Sequence, residues 1–244
     1  METPVHPSNP SPPMGLAGRL IGAFTRPRAV FEELRERPSW LAPFIVLLVA
    51  GLITSYFILP IALTDQARKI SESDAIPAER KAEMLQQFEG GVTAQRHIIS
   101  AASVIGGSFA MLLIVSGVLL FGGNFLLGGS LKFRHAMALY ATVNLVEIPS
   151  AIVKLPMILA KKVLEVSVGP AAFLSAEAAD SIGGLLMARL DLFGLWRWAL
   201  MALGLAVMAR TTVKRAATFI VPLWVFWTIV TIVVRRLTQG LAGF

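Results

Sequence analysis

Residues 133–161 read FRHAMALYATVNLVEIPSAIVKLPMILAK and combine the length of a membrane span with charged residues that a membrane span disfavours. Between Arg134 and Lys161 lie 26 residues, which at about 1.5 Å per residue are enough to cross a bilayer as a helix. The segment also contains Glu147 and Lys154. A charge near the centre of a membrane helix costs roughly 2.5 to 3.5 kcal/mol, whereas each Leu, Ile, Val or Phe returns only about 0.3 to 0.6 kcal/mol. We therefore expect this helix to pack among others with its polar side inward.

The composition of the whole chain is that of an integral membrane protein. Of its 244 residues, 55% are hydrophobic and 15% charged, and the mean hydropathy is +0.69. The net charge of +7 comes from basic blocks between apolar segments, a pattern typical of membrane orientation and contact with anionic lipid rather than of nucleic-acid binding. The absence of cysteine excludes disulfides, zinc–thiolate sites and thiol nucleophiles.

Apolar segments of this kind predict an all-α fold, a polytopic bundle of five transmembrane helices. We expect this membrane domain to occupy residues 40–236 and a short tail to occupy residues 237–244. The predicted spans are residues 40–63, 98–121, 135–160, 191–210 and 216–234.

Two further segments precede the first span. Residues 1–13 are rich in proline, and we expect a disordered cytosolic tail there rather than a signal peptide. Residues 14–39 show amphipathic helical spacing, with Leu16, Ile21 and Phe24 on one face, which predicts helices lying in the headgroup layer. The alternative is a solvated pair of helices with no special partner.

The orientation follows from the tight turns after the second and fourth spans. These turns carry five basic residues and no acidic one, whereas the long segments on the opposite side are acid-rich. Because basic residues in short loops favour the cytoplasmic side, we expect a cytoplasmic amino terminus and a carboxyl terminus on the opposite side.

A candidate intramembrane polar site comprises Glu147, Lys154, Arg197 and Asn144. Glu147 is expected near mid-membrane, and helix lengths put Lys154 and Arg197 at one common depth. Two cations at one depth could flank a wet crevice for a lipid phosphate or another anion, with Glu147 as the deeper partner. The alternative is a structural polar network around Glu147 with two cations that extend toward the headgroups.

No recognised catalytic pattern occurs in the sequence. There is no His-Glu-x-x-His helix, phosphate-binding loop or nucleophile elbow, and the three histidines are scattered. We therefore predict no catalytic, cofactor-binding or metal-binding residue, and a protein that is not an enzyme.

Three groups of residues carry a resemblance to the Yip domain family, the Ypt/Rab-interacting membrane proteins, in its short bacterial form. They are Phe24, Pro27, Phe31, Pro38, Trp40 and Pro43; the glycine-rich turn 122–129 with Phe133 and Tyr140; and Asp191-Leu-Phe-Gly-Leu-Trp196 with Gly204. The resemblance spans residues 20–236. It implies a five-helix membrane domain with a cytosolic amino terminus and, for the eukaryotic branch, a role in vesicle traffic through small GTPases and in membrane shaping.

The expected function is that of a membrane-organising or adaptor module in a bacterial inner membrane. Its expected partners are the bilayer, including anionic headgroups, and other membrane proteins or further copies of the chain. The eukaryotic Asp-Leu-Tyr-Gly-Pro element is missing, which argues against recruitment of a small GTPase. The alternative function is a small transporter or channel for an ion, lipid or other solute that uses the polar site around Glu147.

Overall fold

A computed structural model describes residues 14–73, 76–164, 166–175, 178 and 181–241, with side chains as far as residue 234. Within these residues the regular structure is helical, so the all-α prediction is confirmed. The helices are α1 Leu16–Thr25, α2 Pro27–Glu36, α3 Leu41–Glu72, α4 Ala78–Gln86, α5 Ala94–Phe121, α6 Phe133–Asn144, α7 Glu147–Lys161, α8 Ile182–Ala188, α9 Leu192–Met208 and α10 Val213–Leu241. A π-helical turn, Gly122–Leu126, continues α5.

Four helical segments are each long and apolar enough to cross a membrane. They are α3, α5 with its π turn, the continuous α6–α7 segment, and α10. Helix α9 has 17 residues, about 25 Å, and passes the same test only together with α8, which meets it at a bend of 64°. The multi-pass membrane fold is thus confirmed, with four spans, or five when the bent pair is counted as one.

Several helices extend past the predicted span boundaries. Helix α3 continues nine residues beyond residue 63, because Asp65 forms ion pairs with Arg68 at 2.7 Å and Lys69 at 2.8 Å, one helical turn away. Helix α10 continues through residues 237–241, which were predicted as tail. The sequence pattern placed these ends too early because hydrophobicity marks the bilayer and not the end of the helical backbone. Residues 1–13 and 242–244 lie outside the described residues.

The packed core surrounds α6 and the second half of α9. Fully buried side chains from both helices meet there, among them Leu139, Val143, Leu200 and Leu205. By contrast, the most apolar stretches of α3, α5 and α10 are largely exposed, as expected of helix faces that contact lipid tails. The bundle therefore has two short central helices and three long peripheral ones.

Helices α1 and α2 form a hairpin that packs along α9. Phe24 stacks on Trp196 with ring centroids 6.2 Å apart, Phe31 lies against Gly204, and Arg35 donates a hydrogen bond of 3.4 Å to the carbonyl of Val207. The hairpin therefore follows α9 for about 18 Å. The apolar face of α2 is buried against α6 and α9, so it is neither solvated nor free to enter the headgroup layer. The outward face of α1, including Ile21, stays exposed.

The carboxyl end of α2, the loop before α6 and the turn after α9 lie together at one end of the bundle, which we call the hairpin end. Asn124 holds the loop closed by exchanging hydrogen bonds with the backbone of Leu131, at 2.9 and 2.6 Å. Gly129 lies so close to Ala209 that an added Cβ would be 3.0 Å from the alanine Cβ. Residues far apart in the sequence thus form one continuous surface.

The contact of Phe31 with Gly204 gives a test of the hairpin's place in the fold. A Cβ at position 204 would be 2.9 Å from Phe31 Cε1 and closer still to Leu139, and both side chains are fully buried. We expect Gly204→Ala to lower the free energy of unfolding by about 1–3 kcal/mol through overpacking, measured by thermal unfolding in detergent. Gly106 of α5, which has nothing within 4 Å of an added Cβ, is the matched control. Gly106→Ala should be neutral or slightly stabilising, and equal effects of the two substitutions would contradict the docking.

Candidate functional site

The site originates in a local break between α6 and α7. Pro149 lacks an amide hydrogen and cannot donate to the carbonyl of Leu145, and the backbone there tightens instead. Three bonds of the i to i−3 type, from the amides of residues 145, 146 and 148, replace the regular helical pattern. As a result Glu147 becomes the first residue of α7, where the positive end of the helix dipole favours a carboxylate.

Glu147 is paired with Arg197 of α9. The guanidinium Nη1 of Arg197 donates a hydrogen bond of 2.6 Å to Glu147 Oε1. Arg197 also lies 6.0 Å from the centre of the Trp198 ring. The Glu147 side chain remains 47% exposed and that of Arg197 30%, so the pair is located at the side of the bundle rather than in the core.

A second ion pair joins the same two helices. Lys154 Nζ donates to Asp191 Oδ2 at 2.8 Å, and both side chains are mostly buried. The other oxygen of Asp191 accepts a hydrogen bond of 3.1 Å from the amide of Phe193 and so caps the first turn of α9. Asp191 thus neutralises a lysine and fixes the start of a helix at once.

The structure corrects the predicted arrangement of the two cations. Lys154 and Arg197 were expected at one depth in the membrane. Instead, Lys154 lies beside Asp191 and Arg197 beside Glu147, so the two cations are at different depths. Glu147 and Lys154 are seven residues apart on α7, while Asp191 and Arg197 are six apart at the start of α9. Because the helices run antiparallel, these nearly equal spacings bring opposite charges together twice.

One residue of the predicted site has a role different from the one expected, and one charged partner was not predicted. Asn144 donates a hydrogen bond of 2.8 Å to the carbonyl of Tyr140 in its own helix, and this bond does not involve the two ion pairs. Asp191, which sequence reasoning treated only as the start of a span and as part of the family motif, is the missing partner of Lys154. A signal was present in the sequence, since an aspartate directly before an apolar helix is a strong cap and its spacing to Arg197 matches that of α7.

The helix over residues 135–160 was also expected to pack among others with its polar side inward. Only the first half of the segment, α6, is enclosed in this way by its neighbours. Helix α7 is peripheral, and its outer face exposes Ile152, which is 69% exposed. The charges of α7 point toward α9 across the side of the bundle, so pairing, rather than deep burial, compensates them.

A cleft of about 420 Å³ lies between α3 and α7 and is open to the surroundings of the bundle. Its lining includes Glu147 and Lys154 from α7, together with the hydroxyl-bearing Thr54 and Ser150. Most of the remaining lining is apolar or small. Among the described residues, no group of three or more His, Cys, Asp and Glu side chains is arranged to hold a metal ion. The arrangement can therefore receive a molecule that is part polar and part apolar.

The fold and this laterally placed charged set define an all-α, multi-pass integral membrane protein. The sequence profile of the Yip1 domain matches residues 21–234, which is most of the chain, and the chain therefore belongs to the Yip1 domain family. The resemblance found in the sequence is thereby confirmed. Searches of curated proteins and of solved structures gave no match.

Reversal of charge tests whether the Glu147–Arg197 pair holds α7 against α9. Either Glu147→Arg or Arg197→Glu places two like charges together and should lower the thermal midpoint in lipid nanodiscs. The double variant restores opposite charges and should recover part of the loss, with a coupling energy of about 0.5–3 kcal/mol. Recovery is expected to be incomplete, because an arginine at the first position of α7 opposes the helix dipole. Strict additivity of the two single effects would show that the pair contributes nothing.

Proposed function

We propose that this member of the Yip1 domain family is a non-enzymatic membrane-organising or adaptor module that acts through its hairpin end. The observation that carries the proposal is the concentration of positive charge at that end. Residues 127–134 and 209–215, which form the loop before α6 and the turn after α9, contain five Lys and Arg residues and no acidic one. At the opposite end, the described residues within 64–97 and 161–191 include eight basic and six acidic ones.

This asymmetry fits attachment to an anionic leaflet. Each lysine or arginine near a surface of anionic lipid contributes about 1 kcal/mol of attraction. Arg37, Lys132, Lys214 and Arg215 are exposed at the hairpin end and available for such contacts. The exposed apolar face of α1 adds a second element suited to the bilayer surface. Together these features support a module that binds one leaflet of the bilayer and presents a basic surface to a partner.

We assign this module to a bacterial inner membrane, with a cytoplasmic amino terminus and the carboxyl terminus on the opposite side. The support for the orientation is the charge asymmetry, since basic residues in short loops favour the cytoplasmic side. Recruitment of a small GTPase is not part of the proposal, because the eukaryotic Asp-Leu-Tyr-Gly-Pro element is missing from the sequence.

A second candidate function, a small transporter or channel, is favoured by one observation. The cleft between α3 and α7 brings Glu147 and Lys154 to a space that a solute could enter. The packing of the core weighs against an axial pathway, since large apolar side chains fill the space between α6 and α9. The adaptor role is therefore the better supported of the two.

Site-directed photocrosslinking in intact membranes tests the adaptor role. A photoreactive residue replaces Lys214, which is exposed at the hairpin end, and in a control replaces Glu83, which is exposed on α4 at the opposite end. We expect discrete adducts with one recurring membrane protein, or with a second copy of the chain, from position 214 and none from position 83. Absence of adducts at 214 together with solute flux in proteoliposomes would instead support the transporter.

The orientation is tested by labelling single cysteines, because the natural chain contains none. Glu36→Cys near the hairpin end and Glu89→Cys after α4 change the same charge at two exposed positions. An impermeant maleimide added to intact spheroplasts should label position 89 and reach position 36 only after permeabilisation. The reverse pattern would overturn the assigned orientation.

A further inference from the structure

We propose that the cleft between α3 and α7 binds one zwitterionic phospholipid, with its headgroup at Glu147 and Lys154 and an acyl chain along the apolar walls. The inference rests on the cleft alone and holds whether or not the adaptor role is correct. Its grounds are the shape of the cleft, the exposure of Glu147 and the balance of charge around it.

The cleft has the size and lining of a lipid-binding groove. Its volume of about 420 Å³ lies within the usual range for ligand sites. Small residues on both helices, Ala50 and Gly51 facing Ser150 and Ala151, keep the space open. The larger side chains of the walls are apolar: Leu47, Ile58, Ile148, Leu155 and Ile158. Since the cleft opens to the side of the bundle, a molecule already in the bilayer reaches it without crossing water.

The exposure of Glu147 requires a polar occupant at this point of the cleft. About half of its side chain is uncovered although Arg197 binds one of its oxygens. A carboxylate in contact with bare hydrocarbon is costly, and at membrane depth polar groups must be satisfied by protein, water or a headgroup. Water alone would hydrate the carboxylate but would leave the apolar walls in contact with water. A molecule with a polar head and an apolar chain satisfies both parts of the lining.

The charges around the cleft favour a ligand that carries both signs. Glu147 and Lys154 line it, and their partners Arg197 and Asp191 complete a set of two acids and two bases with no net charge. Glu147 and Lys154 are two helical turns apart, about 10 Å along α7, and Asp191 holds the lysine ammonium away from Glu147, so a ligand that contacts both must be extended. An ammonium can donate to Glu147 while phosphate oxygens accept from Lys154. A net anion or a net cation would gain from one partner and be repelled by the other.

Native mass spectrometry of the detergent-purified full chain tests the proposal with defined lipids. We expect wild type to retain one phosphatidylethanolamine in preference to phosphatidylglycerol, and not to bind soluble phosphoethanolamine, which lacks acyl chains. Ala151→Phe fills the cleft and should lower phosphatidylethanolamine binding about tenfold or more, equivalent to about 1.4 kcal/mol. Ile152→Phe, on the exposed outer face of the same helix, should leave binding unchanged.

Two further variants separate lipid binding from effects on folding. Ala50→Phe fills the same cleft from α3 and should reproduce the loss, with helical content checked by circular dichroism. Glu147→Gln leaves the set with one net positive charge, so lipid preference should shift toward phosphatidylglycerol, a change that a purely structural ion pair does not predict. Equal binding of both lipids by wild type would overturn the proposal. So would equal effects of the phenylalanine substitutions at 151 and 152, or binding of soluble phosphoethanolamine as strong as that of the lipid.

Discussion

Ionised side chains at membrane depth must be paired, and this constraint decides how α7 lies against α9. Glu147 and Lys154 each meet an opposite charge from the start of α9 at 2.6 and 2.8 Å. Without these pairs α7 would present a carboxylate and an ammonium to lipid tails at a cost of several kcal/mol. The geometry needs the antiparallel direction of the two helices and the cap that begins α9 at Asp191. Two local features, a proline-linked break and an aspartate cap, therefore fix a tertiary contact.

The central position of α6 and α9 explains why the amino-terminal hairpin belongs to the membrane domain. Buried apolar side chains of both helices form the core, and the hairpin covers one side of it. Helix α2 fills the gap next to α9 with Phe31 and Leu34, both fully buried. Its opposite, charged face remains at the surface, where Arg28 pairs with Glu32 at 3.0 Å. The amphipathic pattern is thus satisfied by protein on one side and polar surroundings on the other.

The sequence was sufficient for the helical class, the multi-pass membrane character and the family, because each depends on long apolar runs or on residues spread along the chain. It could not predict which surface α2 covers, since an amphipathic helix has the same pattern whether its partner is lipid or protein. The ion pairs were missed for a different reason. Depths were counted along straight, uninterrupted helices, whereas the break at residues 145–146 changes the course of the segment just before Glu147. Asp191 was visible as a helix cap, but a cap gives no indication of a partner 37 residues earlier.

The break between α6 and α7 also separates two parts of the bundle that have different environments. On one side of it, α6 lies in the packed core beside the hairpin and the basic surface. On the other side, α7 lies at the periphery, packed on α3, joined to α9 by two ion pairs and bordering an open cleft. A close-packed core resists small displacements, while a peripheral helix bordering empty volume can shift at lower cost. We therefore expect α7, rather than the core, to take up changes at the cleft. A lipid-binding groove and a basic surface can thus coexist in one small bundle because the chain places a break in the helix between them.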